Sequence, residues 1–265
     1  MTLTSWSGPT VVSQLKTLRT ERTGSVLRVE LDCPDTGNAI TEAMLDDLLT
    51  VLGDPDPELR AIVLTGAGDD FCLGGDRDEY ASSVQLDPTG CGVQRSAAKA
   101  RRVLDVLADN AAVTIARVHG KVIGAGLALA LACDLRAGAD TTTFRLPELG
   151  LGMPIAWGGS LPRLLQEVGP ARAREIILTA RVFDAEEARQ FGVLQKVVPR
   201  EALDVAVSAW VKPVVRRPEA AVRITKALLT SYAAAGRLAN PAALDAELLA
   251  SVVVARHHAA RGQTG

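Results

Sequence analysis

Glu148 stands in Arg145-Leu-Pro-Glu-Leu-Gly-Leu-Gly152, a carboxylate set among apolar neighbours. Leu146, Pro147 and Leu149 would strip water from it, and desolvation raises a carboxyl pKa toward values useful for proton transfer. Spacing alone favours a plainer role, a surface glutamate after a proline. Two glycine turns offer a second kind of chemistry. One is Phe71-Cys-Leu-Gly74-Gly75-Asp76; the other is Gly124-Ala125-Gly126, just inside a helix start. Glycine lets backbone approach a ligand closely, and free N–H groups at turns and helix N-termini can hold a developing oxyanion. Short glycine turns also commonly do no more than reverse the chain or permit close packing. Asp76 and Tyr80 follow the first turn as further polar candidates; helix capping and ordinary packing are their simpler roles. Gly124-Ala-Gly126 is no dinucleotide fingerprint, because Leu129 occupies the third glycine position.

Strands and helices must bring these residues together. Ser25–Asp32 alternates, with Leu27, Val29 and Leu31 on one face and Arg28, Glu30 and Asp32 on the other, the pattern of a half-buried strand. Thr41 can cap a helix carrying Leu45, Leu48, Leu49 and Leu52, which the Gly53-Asp-Pro-Asp-Pro57 run ends. Arg60–Thr65 reads as a buried strand leading to the first glycine turn. Residues 95–109 suit a helix, Val113–His119 a strand, Gly120–Cys133 a glycine turn into a buried helix, and Cys133–Ala139 another strand. Such alternation predicts stacked β-α units around a largely parallel sheet. From about residue 157 the pattern is nearly all helical, with Asp184-Ala-Glu-Glu187 as a capping box.

The chain has 265 residues, 48% hydrophobic and 23% charged, enough to bury a sizeable core. A net charge of −2 gives no electrostatic case for nucleic acid. Cys33, Cys72, Cys91 and Cys133 are scattered, and with His119, His257 and His258 they form no zinc-ligand pattern, so neither a disulfide framework nor a metal is expected. The longest apolar stretch, Val122–Cys133, falls short of the roughly 18 residues of a membrane span. A reducing, cytoplasmic setting is the expectation.

The motifs together carry a family resemblance. Asp70-Phe-Cys-Leu-Gly-Gly-Asp76, His119-Gly-Lys-Val-Ile-Gly-Ala-Gly126, Ala132-Cys-Asp134, Pro147-Glu-Leu-Gly-Leu-Gly152 and Trp157-Gly-Gly-Ser-Leu-Pro-Arg163 occur in this order. The sequence resembles the crotonase, or enoyl-CoA hydratase/isomerase, family from about residue 22 to 235. The resemblance implies an α/β, ClpP/crotonase-like spiral of ββα units with a C-terminal helical trimerisation region. It divides the chain into an N-terminal arm (1–21), a spiral core (22–200) and a helical region (201–265) shortened relative to the family. It implies an acyl-CoA or related thioester as substrate, coenzyme A entering only as part of it, no further cofactor, and a homotrimer or homohexamer. The backbone N–H groups of Gly75 and Ala125 would hold the thioester oxygen, and Glu148 falls on one of two family carboxylate positions.

Departures from the pattern sharpen the expectation. Ala128 stands where hydratases of the family carry a second glutamate, so the single-glutamate arrangement resembles the isomerases. Ile155-Ala156-Trp157 adds a residue and a bulky ring near the expected acyl pocket, which makes Trp157 a substrate-binding candidate beside Asp76, Tyr80 and Gly124; packing under a helix is the alternative for Trp157. The expected function is double-bond isomerisation, in the setting of fatty acid metabolism. The alternatives are a hydratase (a lyase) with a substitute for the second glutamate, a biosynthetic enzyme acting on a specialised thioester, and a non-catalytic acyl-CoA binding protein.

Overall fold

The computed structural model describes residues 10–53, 56–87 and 90–235. It opens with an antiparallel meander, β1 (Thr10–Gln14), β2 (Leu18–Thr23) and β3 (Val26–Leu31). The arm expected over residues 1–21 is corrected for its described part: Thr10–Gln14 and Leu18–Thr23 are strands paired in register within the sheet. Every β1 side chain is exposed, so this edge strand has no buried face to show as alternation.

After α1 (Glu42–Gly53), capped as expected by Thr41 Oγ1 accepting from Met44 N at 3.1 Å, comes β4 (Ala61–Gly66). Then follow α2 (Arg77–Leu86), α3 (Cys91–Asp109), β5 (Val113–Val118), β6 (Lys121–Ile123), α4 (Ala125–Ala132), β7 (Leu135–Ala139) and β8 (Thr143–Arg145). The remainder runs α5 (Leu161–Val168), α6 (Pro170–Thr179), β9 (Phe183–Asp184), α7 (Ala185–Phe191), β10 (Lys196–Val198), α8 (Leu203–Arg216) and α9 (Glu219–Ala235). Seven strands form one sheet in the order β1-β2-β3-β4-β5-β7-β10, parallel from β3 onward, and β6-β8-β9 form a small second sheet. β9 and β10 break the all-helical stretch expected after residue 157; at two and three residues they are too short to display a period.

The large sheet is covered on both faces. Ile62 and Leu64 point into a core with Leu48 of α1, Leu104 of α3 and the whole of α4. Ala61 and Val63 meet Leu203, Val207 and Val211 of α8 on the other side. A parallel strand buried on both faces reads as a near-continuous apolar run, as Ala61–Leu64 of β4 does. The same covering explains Glu30, expected on a polar face but only 6% exposed: Arg19 Nε at 2.8 Å and Arg28 at 3.3 Å neutralise it. The helical region begins by sealing this second face, and Lys226 of α9 is buried against Asp134 at 2.7 Å. The helical region expected over 201–265 is described as far as residue 235, and His257 and His258 lie outside the described residues.

Candidate active site

The first glycine turn is tied to the second by backbone hydrogen bonds. Phe71 N donates to His119 O at 2.9 Å, and Ile123 N to Cys72 O at 2.9 Å. Asn38, fully buried, donates to the carbonyls of Ala67 and Asp70 at 2.9 Å each, which fixes the loop before the turn. Its positioning role was missed, since a lone Asn after a glycine gives no periodic signal. Gly74 takes φ +99°, and a Cβ there would come within 3.2 Å of Ile123 O. Ile40 brackets the next residue: its N–H donates to Gly74 O at 2.8 Å and its carbonyl accepts from Asp76 N at 3.0 Å. The Gly75 N–H between them takes no acceptor among the described residues.

Ala125 is the first residue of α4, so its N–H has no intrahelical acceptor and carries part of the positive end of the helix dipole. All eight residues of α4 are buried. A Cβ on Gly74 would lie 3.9 Å from Ala125 N, so the two turns abut.

Glu148 begins a short 3-10 turn, Glu148–Leu151, closed by Met153 N donating to Glu148 O at 2.9 Å. Gly124 N donates to Arg145 O at 3.0 Å, which brings this segment beside the start of α4. Gly124 has φ +49°, and a Cβ on it would stand 2.9 Å from Glu148 Oε1. The missing side chain therefore makes room for the carboxylate. Glu148 Oε2 is buried without a hydrogen-bond partner, and burial pushes the carboxyl pKa above its ordinary value.

These groups border one cavity of about 400 Å³, whose wall includes Gly75, Tyr80, Ala125, Glu148, Met153 and Trp157. Asp76 and Gly124 also line it, so every candidate site residue read from the sequence reaches the same cavity. Asp76 also has the plainer role foreseen for it: Oδ1 accepts from Glu79 N at 2.8 Å as the N-cap of α2. Trp157 is half-buried and serves both readings, lining the cavity while packing on the main core. Ala128 is buried one turn further along α4 and does not itself line the cavity. Ala81 and Gln85 of α2 line the cavity as well and were missed; α2 is mostly exposed, so its apolar pattern does not mark a face.

Strand–helix units wound on a two-face-covered sheet, with paired glycine turns at one cavity, define the crotonase fold, and solved structures agree. A Thermobifida fusca protein in complex with acetoacetyl-CoA is 34% identical, with a TM-score of 0.75 over 91% of this chain and 95% of that one. Pseudomonas aeruginosa AtuE is 30% identical, with a TM-score of 0.78 over 82% and 83%. The enoyl-CoA hydratase/isomerase family model matches residues 21–264, and the chain belongs to that family. Relatives include the short-chain-enoyl-CoA hydratase of Clostridium acetobutylicum, 32% identical over 80% of both chains. The peroxisomal Delta(3,5)-Delta(2,4)-dienoyl-CoA isomerase of Arabidopsis thaliana is 32% identical over 81% of both. Among the described residues no helix is long and apolar enough to cross a membrane.

Proposed function

We propose that the protein moves a double bond in an acyl thioester through an enolate, with Glu148 as the one acid/base. The thioester oxygen accepts from Gly75 N–H and Ala125 N–H. Glu148 Oε2 removes a proton from C2 of a 3-enoyl thioester, and the C2–H electron pair becomes the enolate. Charge collects on the thioester oxygen, where fixed donors in a water-poor cavity act without reorganising. Glu148 then returns the proton to C4, the carbonyl re-forms, and the double bond lies between C2 and C3. The carrying observation is a buried, unpaired carboxylate oxygen at a cavity bordered by two free N–H groups.

Hydration needs a second group to orient water. Asp76 and Glu148 are the carboxylates among the described cavity residues, and Asp76 is committed to capping α2. This supports isomerisation over the hydratase reading, and the acetoacetyl-CoA held by the Thermobifida fusca relative supports a CoA thioester as substrate. We place the enzyme in the cytoplasm as a homotrimer or a dimer of trimers, working without a further cofactor. Ile224, Leu228 and Tyr232, one stripe of α9 more than half exposed, support self-association.

Glu148→Gln is the test. It preserves shape but cannot shuttle a proton, so turnover should fall by about 10²–10⁴-fold, while thioester affinity measured by calorimetry stays within about twofold. Near-normal turnover would move the chemistry to another residue.

A further inference from the structure

Tyr80 is a polar group at the cavity that the isomerisation of a plain hydrocarbon chain does not use. It sits one turn into α2 and lines the cavity. A methyl group placed on Gly75 would lie 3.7 Å from Tyr80 Cε2, the ring carbon beside the one that bears the hydroxyl. The phenol end of the ring, not its root, therefore abuts the turn that carries an oxyanion donor. That hydroxyl is buried and its own proton meets no acceptor in hydrogen-bond geometry; the Ser96 hydroxyl of α3 is the neighbour placed to donate to the phenol oxygen. Burial pushes the phenol up to about 12; Ser96 of α3 eases the rise, and the carboxylates of Glu42 and Glu79 add to it. At neutral pH the group is a protonated donor.

Leaving a buried donor proton without an acceptor is costly, so a ligand that satisfies it is favoured over one that does not. The thioester oxygen is a poor candidate: a carbonyl oxygen offers two lone pairs, and Gly75 N–H and Ala125 N–H already claim them. Resting on the thioester reading above, we propose that Tyr80 selects the acyl group by donating a hydrogen bond to an oxygen carried on the chain near C3, so that oxygen-substituted acyl thioesters are preferred over plain hydrocarbon ones. A site built to hydrogen-bond a substrate group discriminates strongly against the analogue that lacks it.

Butanoyl-CoA and 3-oxobutanoyl-CoA form a matched pair of equal length, and neither can be isomerised or hydrated. Titration calorimetry on wild type and Tyr80→Phe gives the four affinities. The expected result is a preference of about tenfold or more for the 3-oxo compound in wild type, falling to within about twofold in Tyr80→Phe, with butanoyl-CoA affinity unchanged. The same ratio in both proteins overturns the proposal. So does an equal loss for both ligands, which would put the hydroxyl on the shared thioester oxygen. Should Tyr80→Phe melt early, wild type alone decides, and a preference below about twofold overturns it. Failure of both thioesters to bind wild type would bring down the thioester reading itself, whereas binding of both without selectivity brings down only the role of Tyr80.

Discussion

The two walls of the cavity follow opposite rules. The α4 wall is rigid and apolar: all eight helix residues are buried, Gly124 leaves space for Glu148, and the free N–H of Ala125 sits at a helix start. The α2 wall is polar and largely open, with Arg77 and Gln85 exposed and Tyr80 half-buried. A group that must hold its geometry through proton transfer gains from a wall that cannot relax. A wall that faces solvent can vary in side chain at little cost to the core. On the function proposed above, chemistry falls to α4 and its neighbouring 3-10 turn, and selection of the acyl group to α2.

Among changes to the backbone of the two walls, deleting one donor from the rigid wall should have the largest effect. Proline suits the first position of a helix, where its missing N–H breaks no intrahelical bond. Ala125→Pro therefore removes the oxyanion donor while leaving α4 able to form. Turnover should drop by about 10²–10³-fold with the circular dichroism spectrum unchanged; a loss under about threefold would take Ala125 N–H out of the mechanism.

Gly124→Ala breaks the same wall more gently. The new Cβ would press on Glu148 Oε1, and φ +49° strains any L-residue by about 1–2 kcal/mol. Turnover should fall by roughly tenfold, about 1.4 kcal/mol in barrier, and thermal melting should drop by a few degrees. An equal loss from a small-residue change on α2, such as Ala81→Gly, would erase the contrast between the walls.

The smallest expected effect is on stability. Burial raises the Glu148 pKa in the folded protein above 4.5, so the folded state holds this proton more tightly than the unfolded chain. Stability from this group is complete below about 4.5 and is lost as pH rises through the higher folded value. Glu148→Gln removes that slope, so the variant should melt slightly above wild type at neutral pH and lose the advantage in acid. A variant less stable at pH 7 would mean that the carboxylate has a partner in the folded state.

Legibility from sequence followed the same division. Runs buried on both faces, Ala61–Leu64 of β4 and the whole of α4, read clearly because nothing polar interrupts them. The glycine turns and Glu148 were visible as an ordered set of motifs, although local spacing alone favoured plain turns and a surface glutamate. What escaped depends on tertiary partners. β1 and β2 have no simple period, since β1 is an exposed edge and β2 is mixed. Glu30 is buried only because arginines from other positions meet it. Asn38 organises the first turn through carbonyls about thirty residues away in sequence, a contact that no local pattern contains. The α2 face was the least readable part of the site, because its role comes from facing the cavity and not from an apolar stripe.

The most direct test of the central claim compares two reactions of the wild-type enzyme. A 3-enoyl-CoA and the corresponding 2-enoyl-CoA are supplied in parallel, and NMR follows double-bond migration in one and 3-hydroxyacyl product in the other. Both reactions would share the N–H groups of Gly75 and Ala125 and the carboxylate of Glu148, and hydration alone requires a group that Ala128 does not supply. Isomerisation should exceed hydration by at least about tenfold, or about 1.4 kcal/mol in barrier. Hydration at a rate equal to or above isomerisation would contradict the single-glutamate account.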